Sequence, residues 1–83
     1  MAAVRVLYFA GLREAVGLAE EAMSLPVGVR TVGDLCAHLA ARHPAYAERQ
    51  KHVRVARNEA FAGSDDPVCD GDTFALIPPV AGG

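Results

Sequence analysis

The chain ends in the sequence Thr73-Phe74-Ala75-Leu76-Ile77-Pro78-Pro79-Val80-Ala81-Gly82-Gly83. Residues 73–77 are β-branched, aromatic or apolar, a composition typical of a strand. Pro78 and Pro79 hold φ at about −65° and remove two backbone donors, so the strand cannot continue through them. We therefore expect the chain to leave its last strand in an extended, polyproline-like direction.

The last four residues predict a reactive tail. They are small, and the glycines at the tip have no Cβ, so they could pass through a narrow channel. The terminal carboxylate is a poor electrophile until a second protein activates it, after which it can be transferred to a nucleophile. Over a frayed terminus or an expression scar, we favour a flexible reactive tail of residues 80–83 on a folded domain of residues 1–79.

Length and composition indicate one small globular domain. The chain has 83 residues, of which 52% are hydrophobic and 22% charged, so it is expected to fold around a small core. Its net charge is −2 and it contains no run of Lys or Arg, so neither nucleic acid nor a membrane is predicted as a partner. The N-terminus lacks the basic and apolar segments of a secretory signal, which favours a cytoplasmic protein.

The cysteines and histidines do not predict a metal site. Cys36 and Cys69 form no CxxC pair and are expected to pack as small hydrophobic residues rather than to form a disulfide. His38, His43 and His52 lack the spacing of metal ligands, so we expect surface histidines. The sequence therefore predicts neither a metal nor a bound cofactor.

The first strand is predicted at residues 4–9, which are rich in β-branched and aromatic residues. Side chains alternate across a strand, so the preference of Arg5 for solvent decides which side chains are buried. The core side then carries Val4, Val6 and Tyr8, and the outer side carries Leu7 and Phe9. Two large apolar side chains are thus expected outside the core.

One long helix is predicted from Thr31 onward. The sequence Thr31-Val32-Gly33-Asp34 fits a capping box. An apolar stripe with the spacing i, i+3, i+4, i+7 follows in Val32, Leu35, Cys36 and Leu39. The helix is expected to end at His43, because a residue before proline is disfavoured in the α region.

Shorter elements complete the prediction. We expect a short helix at residues 10–16 ended by Gly17, strands at 20–25, 53–56 and 60–62, a helical turn within 45–51, and turns at Asn58 and at Asp70-Gly71-Asp72. Together these elements predict an α+β fold, with a mixed sheet and one main helix packed across one face. With the first and last strands parallel at its centre, this is the β-grasp, or ubiquitin-like, fold.

Five segments stand in a characteristic order along nearly the whole chain. They are Val6-Leu7-Tyr8-Phe9-Ala10, Leu12-Arg13-Glu14-Ala15-Val16-Gly17, Asn58-Glu59, Asp70-Gly71-Asp72 and Pro78-Pro79-Val80-Ala81-Gly82-Gly83. In this order they resemble the MoaD family, the small sulfur-carrier subunits of molybdopterin synthase. The Asp-Gly-Asp turn one strand before the tail is the specific feature, because Gly-Gly alone is shared by other ubiquitin-like proteins.

The resemblance implies that Gly83 is the reacting residue. In the family, an ATP-using enzyme related to ubiquitin activators adenylates the terminal glycine, and sulfur supplied by a sulfurtransferase then replaces an oxygen to leave a thiocarboxylate. The tail would insert Val80, Ala81, Gly82 and Gly83 into the large catalytic subunit. There the sulfur would pass to cyclic pyranopterin monophosphate on the way to the dithiolene of molybdenum cofactor. The chain would thus be a non-catalytic sulfur donor of a two-subunit sulfurtransferase.

The outer faces of the first and last strands are expected to form the partner-binding patch. If Phe74 and Leu76 face the helix, Ala75 and Ile77 face outward beside Leu7 and Phe9. Contiguous apolar residues that lead to a reactive tail suggest an interface. The interface residues we expect are Phe9, Phe61, Ile77, Pro78 and Pro79.

One position departs from the family. Arg57 stands where an apolar residue usually precedes the Asn, and strict alternation would place it on the face of Val53 and Val55. Burial of an unpaired guanidinium is costly, so we expect the third strand to end by Ala56 or Arg57 to reach solvent.

Other functions are compatible with the same fold and the same tail. The same tail would suit a ubiquitin-like modifier joined to lysines, or a sulfur carrier for thiazole synthesis or tRNA thiolation. A third possibility is an interaction module with an inert tail, since a fold does not by itself determine a function.

Overall fold

The computed structural model describes residues 2–79 of the chain. Within them the chain forms β1 (Ala3–Tyr8), α1 (Ala10–Val16), β2 (Glu20–Ser24), α2 (Val32–Arg42), α3 (Pro44–Arg49), a 3-10 turn (Gln50–His52), β3 (Arg54–Arg57), β4 (Ala60–Phe61) and β5 (Thr73–Ile77). The expectations for residues 80–83 lie outside the described residues. None of the helices within 2–79 is long and apolar enough to span a membrane.

The strands form one mixed sheet in the order β2-β1-β5-β3-β4. At its centre β1 and β5 are parallel, with Val6 beside Phe74. The outer pairings, β2 with β1, β3 with β5 and β4 with β3, are antiparallel. Parallel neighbours need a crossover connection, and here the chain between β1 and β5 contains α2. The predicted β-grasp fold is confirmed.

The core lies between one face of the sheet and the helices. Alternation along β1 and β5 places five side chains on this face, all at most 3% exposed: Val4, Val6, Tyr8, Phe74 and Leu76. The predicted stripe of α2 packs on them through Val32, Leu35, Cys36 and Leu39. Removal of this apolar surface from water is the main stabilising contribution to so small a domain. The predicted core positions are therefore confirmed.

The ends of α2 follow the sequence signals. Thr31 Oγ1 accepts a hydrogen bond of 3.1 Å from Asp34 N, and Asp34 Oδ2 accepts one of 3.2 Å from Thr31 N, which completes the capping box. His43 ends the helix in an extended conformation, and Pro44 begins α3. The short turn predicted after His43 is longer than expected, because α3 and the 3-10 turn together occupy residues 44–52.

Of the two alternatives predicted for the end of the third strand, the structure contradicts the first, and Arg57 reaches solvent in part. Rather than ending by Ala56, β3 continues through Arg57, which is in register with Phe74 on the core face of the sheet. The Arg57 side chain is 29% exposed, and its Nε lies 2.7 Å from Asp72 Oδ2. The guanidinium is thus tolerated at the edge of the core because a carboxylate pairs with it.

Asp72 ties two turns together. Besides Arg57, its carboxylate accepts hydrogen bonds from Asn58 Nδ2 at 2.9 Å and Cys69 N at 2.8 Å. Asn58 has the predicted left-handed conformation, with φ 49°, and its Oδ1 accepts from Thr73 N at 2.9 Å. The hydrogen bond from Arg57 is the main reason why the pKa of Asp72 is lowered, and it outweighs the opposing effect of burial. These contacts join the turn before β4 to the turn before β5.

We expect Asp72→Ala to lower the melting temperature by about 10 °C, because it leaves Arg57 and Asn58 without their shared acceptor. Asp65, an exposed residue of the loop before β5, provides the matched control, and Asp65→Ala should change the melting temperature by no more than about 3 °C. Thermal unfolding by circular dichroism checks both. Equal melting temperatures for the two variants would contradict the structural role of Asp72.

Two expectations about polar and sulfur-containing side chains need correction. Cys36 is buried as predicted, whereas Cys69 is exposed. His43 was expected at the surface, but its side chain is only 16% exposed. Its ring packs edge-on against Tyr8, with the ring centroids 5.7 Å apart. Within residues 2–79, no group of three or more His, Cys, Asp or Glu is placed to hold a metal ion.

Glu21 of β2 connects the sheet edge to the end of α2. Its Oε2 accepts a hydrogen bond of 2.6 Å from the Tyr8 hydroxyl and lies 2.8 Å from His43 Nε2, and Arg42 Nη2 is 3.3 Å from its Oε1. Burial acts to raise the pKa of Glu21, but the hydrogen bonds from Tyr8 and His43, with the charge of Arg42, outweigh burial and lower it. The charged form of Glu21 is therefore stabilised in the folded state.

The lowered pKa of Glu21 predicts a pH dependence of the free energy of unfolding. The stabilising contribution of this carboxylate should be present above its unfolded pKa of about 4.3 and lost as the pH falls through the lower folded pKa. We expect Glu21→Gln to be less stable than the parent at pH 7 and to approach the parent at pH 3 in urea unfolding. Glu14→Gln, at an exposed position of α1, is the control and should follow the parent at both pH values. An equal gap between Glu21→Gln and the parent at pH 7 and pH 3 would refute this assignment.

Candidate partner interface at the end of the last strand

The outer face of the sheet, on the side away from α2, carries an apolar hollow of about 350 Å³. We call it the sheet-face hollow. Its lining residues come from β3, β4, β5, the turn between β3 and β4, and the residue after β1, and they are Phe9, Ala56, Glu59, Phe61, Ala75 and Ile77. Phe9 is 45% exposed and Phe61 61% exposed, so the aromatic walls of the hollow are open to a partner.

Strand register explains how the sheet-face hollow forms. Ala56 of β3 is paired with Ala75 of β5 on one side and with Phe61 of β4 on the other. Paired residues point to the same face of a sheet, so the two alanines form a floor next to the Phe61 ring. Phe9, the residue after β1, and Ile77, at the end of β5, complete the hollow towards the tail.

A second hollow, of about 590 Å³, lies at the base of the tail. We call it the tail-base hollow. It is bounded by the start of α1, the end of α3 and the 3-10 turn, with Pro78 and Pro79 along one side. Phe9 and Ile77 line this hollow as well as the sheet-face hollow. Apolar surface therefore continues from the sheet to the residues that lead into the tail.

The structure brings together the residues singled out as the interface. Phe9, Phe61 and Ile77 surround the sheet-face hollow, and Phe9 and Ile77 meet Pro78 and Pro79 at the tail-base hollow. Leu7 is half-buried beside Ala75 on the same outer face. The predicted insertion residues Val80, Ala81, Gly82 and Gly83 lie outside the described residues.

Sequence reasoning missed two residues that line the sheet-face hollow, Ala56 and Glu59, and one that stacks on its Phe61 wall, Arg54. The guanidinium of Arg54 lies 3.8 Å from the centroid of the Phe61 ring, within the range of a cation–π interaction. In the part of the chain that the structure describes, residues 2–79, no carboxylate forms an ion pair with Arg54. Alternation along β3 placed Arg54 and Ala56 on one face, but only the register with β4 and β5 shows that this face carries the hollow.

The chemistry of these side chains suits recognition of another protein. The sheet-face hollow offers aromatic and aliphatic contact, and the Arg54 cation stacks on Phe61, one of its walls; this combination is typical of protein interfaces. Cys36 lies in the core, and burial raises the pKa of its thiol, so this cysteine is not poised as a nucleophile. Among residues 2–79, the surface next to the tail is thus the best candidate for a functional site.

Comparison with known proteins gives consistent findings. The family model described as the ThiS family matches residues 6–83. The chain is 39% identical to a molybdopterin synthase sulfur carrier subunit of Chlamydomonas reinhardtii over 82 residues, covering 96% of this chain and 98% of that subunit. It is 37% identical to the subunit of the same name in Escherichia coli, also over 82 residues, covering 96% of this chain and 99% of the other.

A solved structure shows the same fold. The crystal structure of small archaeal modifier protein 1 from Haloferax volcanii superposes with a TM-score of 0.87 at 32% identity, covering 99% of this chain and all of that one. The match spans both chains almost completely. The β-grasp arrangement is therefore a feature that this chain has in common with a similar protein.

Proposed function

The chain belongs to the ThiS family, and on this basis we propose that it is the sulfur-carrier subunit of a molybdopterin synthase. The observation that carries the proposal is its similarity, from end to end, to sulfur carrier subunits of an alga and a bacterium. The apolar surface that continues from the sheet to Pro79 supports the proposal, because it would hold a partner beside the tail.

In this proposal Gly83 carries the chemistry. An ATP-using activating enzyme adenylates its carboxyl group, which turns a poor electrophile into a reactive one. Sulfur at the oxidation level of sulfide, supplied by a sulfurtransferase, then attacks the carbonyl carbon, the bond to AMP breaks, and a thiocarboxylate remains. The chain stores the sulfur in this form, and the catalytic groups belong to the larger subunit.

The large subunit is proposed to bind the outer face of the sheet and to receive the tail. Six residues, 78–83, follow Ile77 at the end of β5, so a fully extended tail would reach at most about 22 Å beyond the sheet. At that distance the thiocarboxylate would lie inside the partner, while the sheet-face hollow would lie at the contact surface between the two proteins. Sulfur would pass there to cyclic pyranopterin monophosphate, which we expect to take place in the cytoplasm.

A second candidate function is protein modification. The chain is also similar to small archaeal modifier protein 1, and the same activated carboxyl could form an isopeptide bond with a lysine, but the similarity to sulfur carrier subunits favours the first function over this alternative. Intact-mass analysis of the chain from its native host separates the two. One C-terminal oxygen replaced by sulfur supports the carrier, and a protein-sized adduct supports the modifier.

We expect Phe9→Asp to weaken binding to the large subunit by about tenfold or more, because a buried, unpaired carboxylate is costly at an apolar interface. Because Phe9 is 45% exposed in the free chain, the substitution should affect the melting temperature much less than it affects the affinity for the large subunit. Val27→Asp is the matched control, since Val27 is a fully exposed apolar residue outside both hollows. Equal affinities of the Phe9 variant and the parent in a calorimetric titration would remove the sheet face from the interface.

We expect deletion of Gly83 to abolish sulfur transfer and to leave the melting temperature unchanged. The deletion withdraws the carboxyl group by up to about 3.6 Å, beyond bonding reach of the activating site. A residue added after Gly83 should have the same effect, and Gly82→Val should slow adenylation by adding a branched side chain. The measurements are thermal unfolding, adenylate formation and pterin-product formation on the same variants. Full product formation by the deletion variant would exclude the carrier function.

A further inference from the structure

We propose that the sheet-face hollow receives one large apolar side chain of the tail-accepting subunit, and that a carboxylate next to this side chain pairs with Arg54. The inference rests on the proposed function, since it describes the partner that takes the tail. It goes further by specifying the shape and the charge that this partner must present.

The alanine floor is the first reason. Ala56 and Ala75 are paired at the centre of the outer face, between the aromatic side chains of Phe61 and Phe9. Interface cores pack as densely as protein interiors, so a flat partner surface would leave a void above the two alanines. A protruding apolar side chain would enter the open hollow of about 350 Å³ and pack on the alanine floor between the aromatic walls. The hollow therefore selects a protruding side chain rather than a flat apolar patch.

The order of charges along the hollow is the second reason. Arg54 is in register with Ile77, so it marks the end nearest the tail. Glu59 lines the hollow from the turn after β3, and this turn leads away from the tail. Arg54 does not line the hollow itself, but its guanidinium is stacked on Phe61, one of the walls, where it can donate paired hydrogen bonds to a carboxylate. An acidic group of the partner is thus favoured on the tail side of the inserted side chain and disfavoured beside Glu59.

Continuity with the tail decides which protein is the occupant. Phe9 and Ile77 line both hollows, and the tail-base hollow continues to Pro79. A protein seated in the sheet-face hollow therefore lies next to the start of the tail. The activating enzyme also needs the tail; the occupant we assign is the large subunit, because in the proposed function it is the large subunit that binds the outer face of the sheet.

A substitution that fills the hollow tests the shape. Ala75→Leu adds apolar surface, so it would maintain or strengthen binding to a flat apolar patch. If the hollow must admit a side chain, the same substitution should weaken the affinity for the purified large subunit by about tenfold or more, and Ala75→Val should give a smaller loss. The valine variant also serves if the leucine variant unfolds at a lower temperature than the parent.

The matched control is Ala22→Leu on edge strand β2. Ala22 is opposite Arg5 on the same outer face and does not line the hollow, so its affinity should stay within about twofold of the parent. Binding of Ala75→Leu and Ala75→Val as tight as that of the parent would overturn the inference and leave the proposed function intact. No binding by the parent chain itself would instead count against the proposed function.

Arg54→Gln tests the charge. We expect it to weaken the affinity by about fivefold or more at low salt and to reduce the loss of affinity on going from low to high salt, because a charge pair is screened by salt. Arg13→Gln, an exposed arginine of α1 outside both hollows, should keep the salt dependence of the parent. An unchanged salt dependence in Arg54→Gln would overturn the part of the inference that concerns the carboxylate.

Discussion

The parallel pairing of β1 with β5 is the constraint on which the rest of the structure depends. Two parallel strands cannot be joined by a tight turn, so the chain between them must cross over one face of the sheet. Here α2 makes this crossing, and it buries the core face while the opposite face stays bare at its centre. Because the two strands are parallel, the same pairing places the end of β5, followed by Pro78 and Pro79, at the end of the sheet where β1 also ends. An open apolar face beside an emerging tail is thus a direct result of strand order.

Much of this architecture could be predicted from the sequence, because it depends on local and periodic signals. Alternation in β1, the stripe of α2 and the capping box at Thr31 each repeat a known geometry, and the core residues follow from them. The predictions that were wrong concern contacts between distant segments. Alternation did predict that Arg57 lies on the core face, but its partner Asp72 is 15 residues away, so the sequence could not show how the charge is satisfied.

The candidate site likewise combines features that could be predicted from the sequence with features that could not. The outward positions of Phe9 and Ile77 follow from alternation alone. The hollow between them does not, because it depends on the pairing of Ala56 with both Ala75 and Phe61. Likewise, the spacing of His43 gave no sign of its contact with Glu21, which lies on a different element. Register between strands and packing between elements are long-range properties, and periodicity in one segment carries no information about them.

Phe9 and Ile77, the two residues common to both hollows, affect the order in which partner proteins can bind the chain. A protein that covers either hollow also covers Phe9 and Ile77. Two proteins that need these residues therefore compete for one carrier and must bind it in turn. Each handover then requires complete dissociation, and the lifetime of every complex limits the number of cycles that one molecule completes. Very tight binding at this surface would therefore slow a carrier, and a moderate affinity with a rapid exchange of partners is the arrangement that favours turnover.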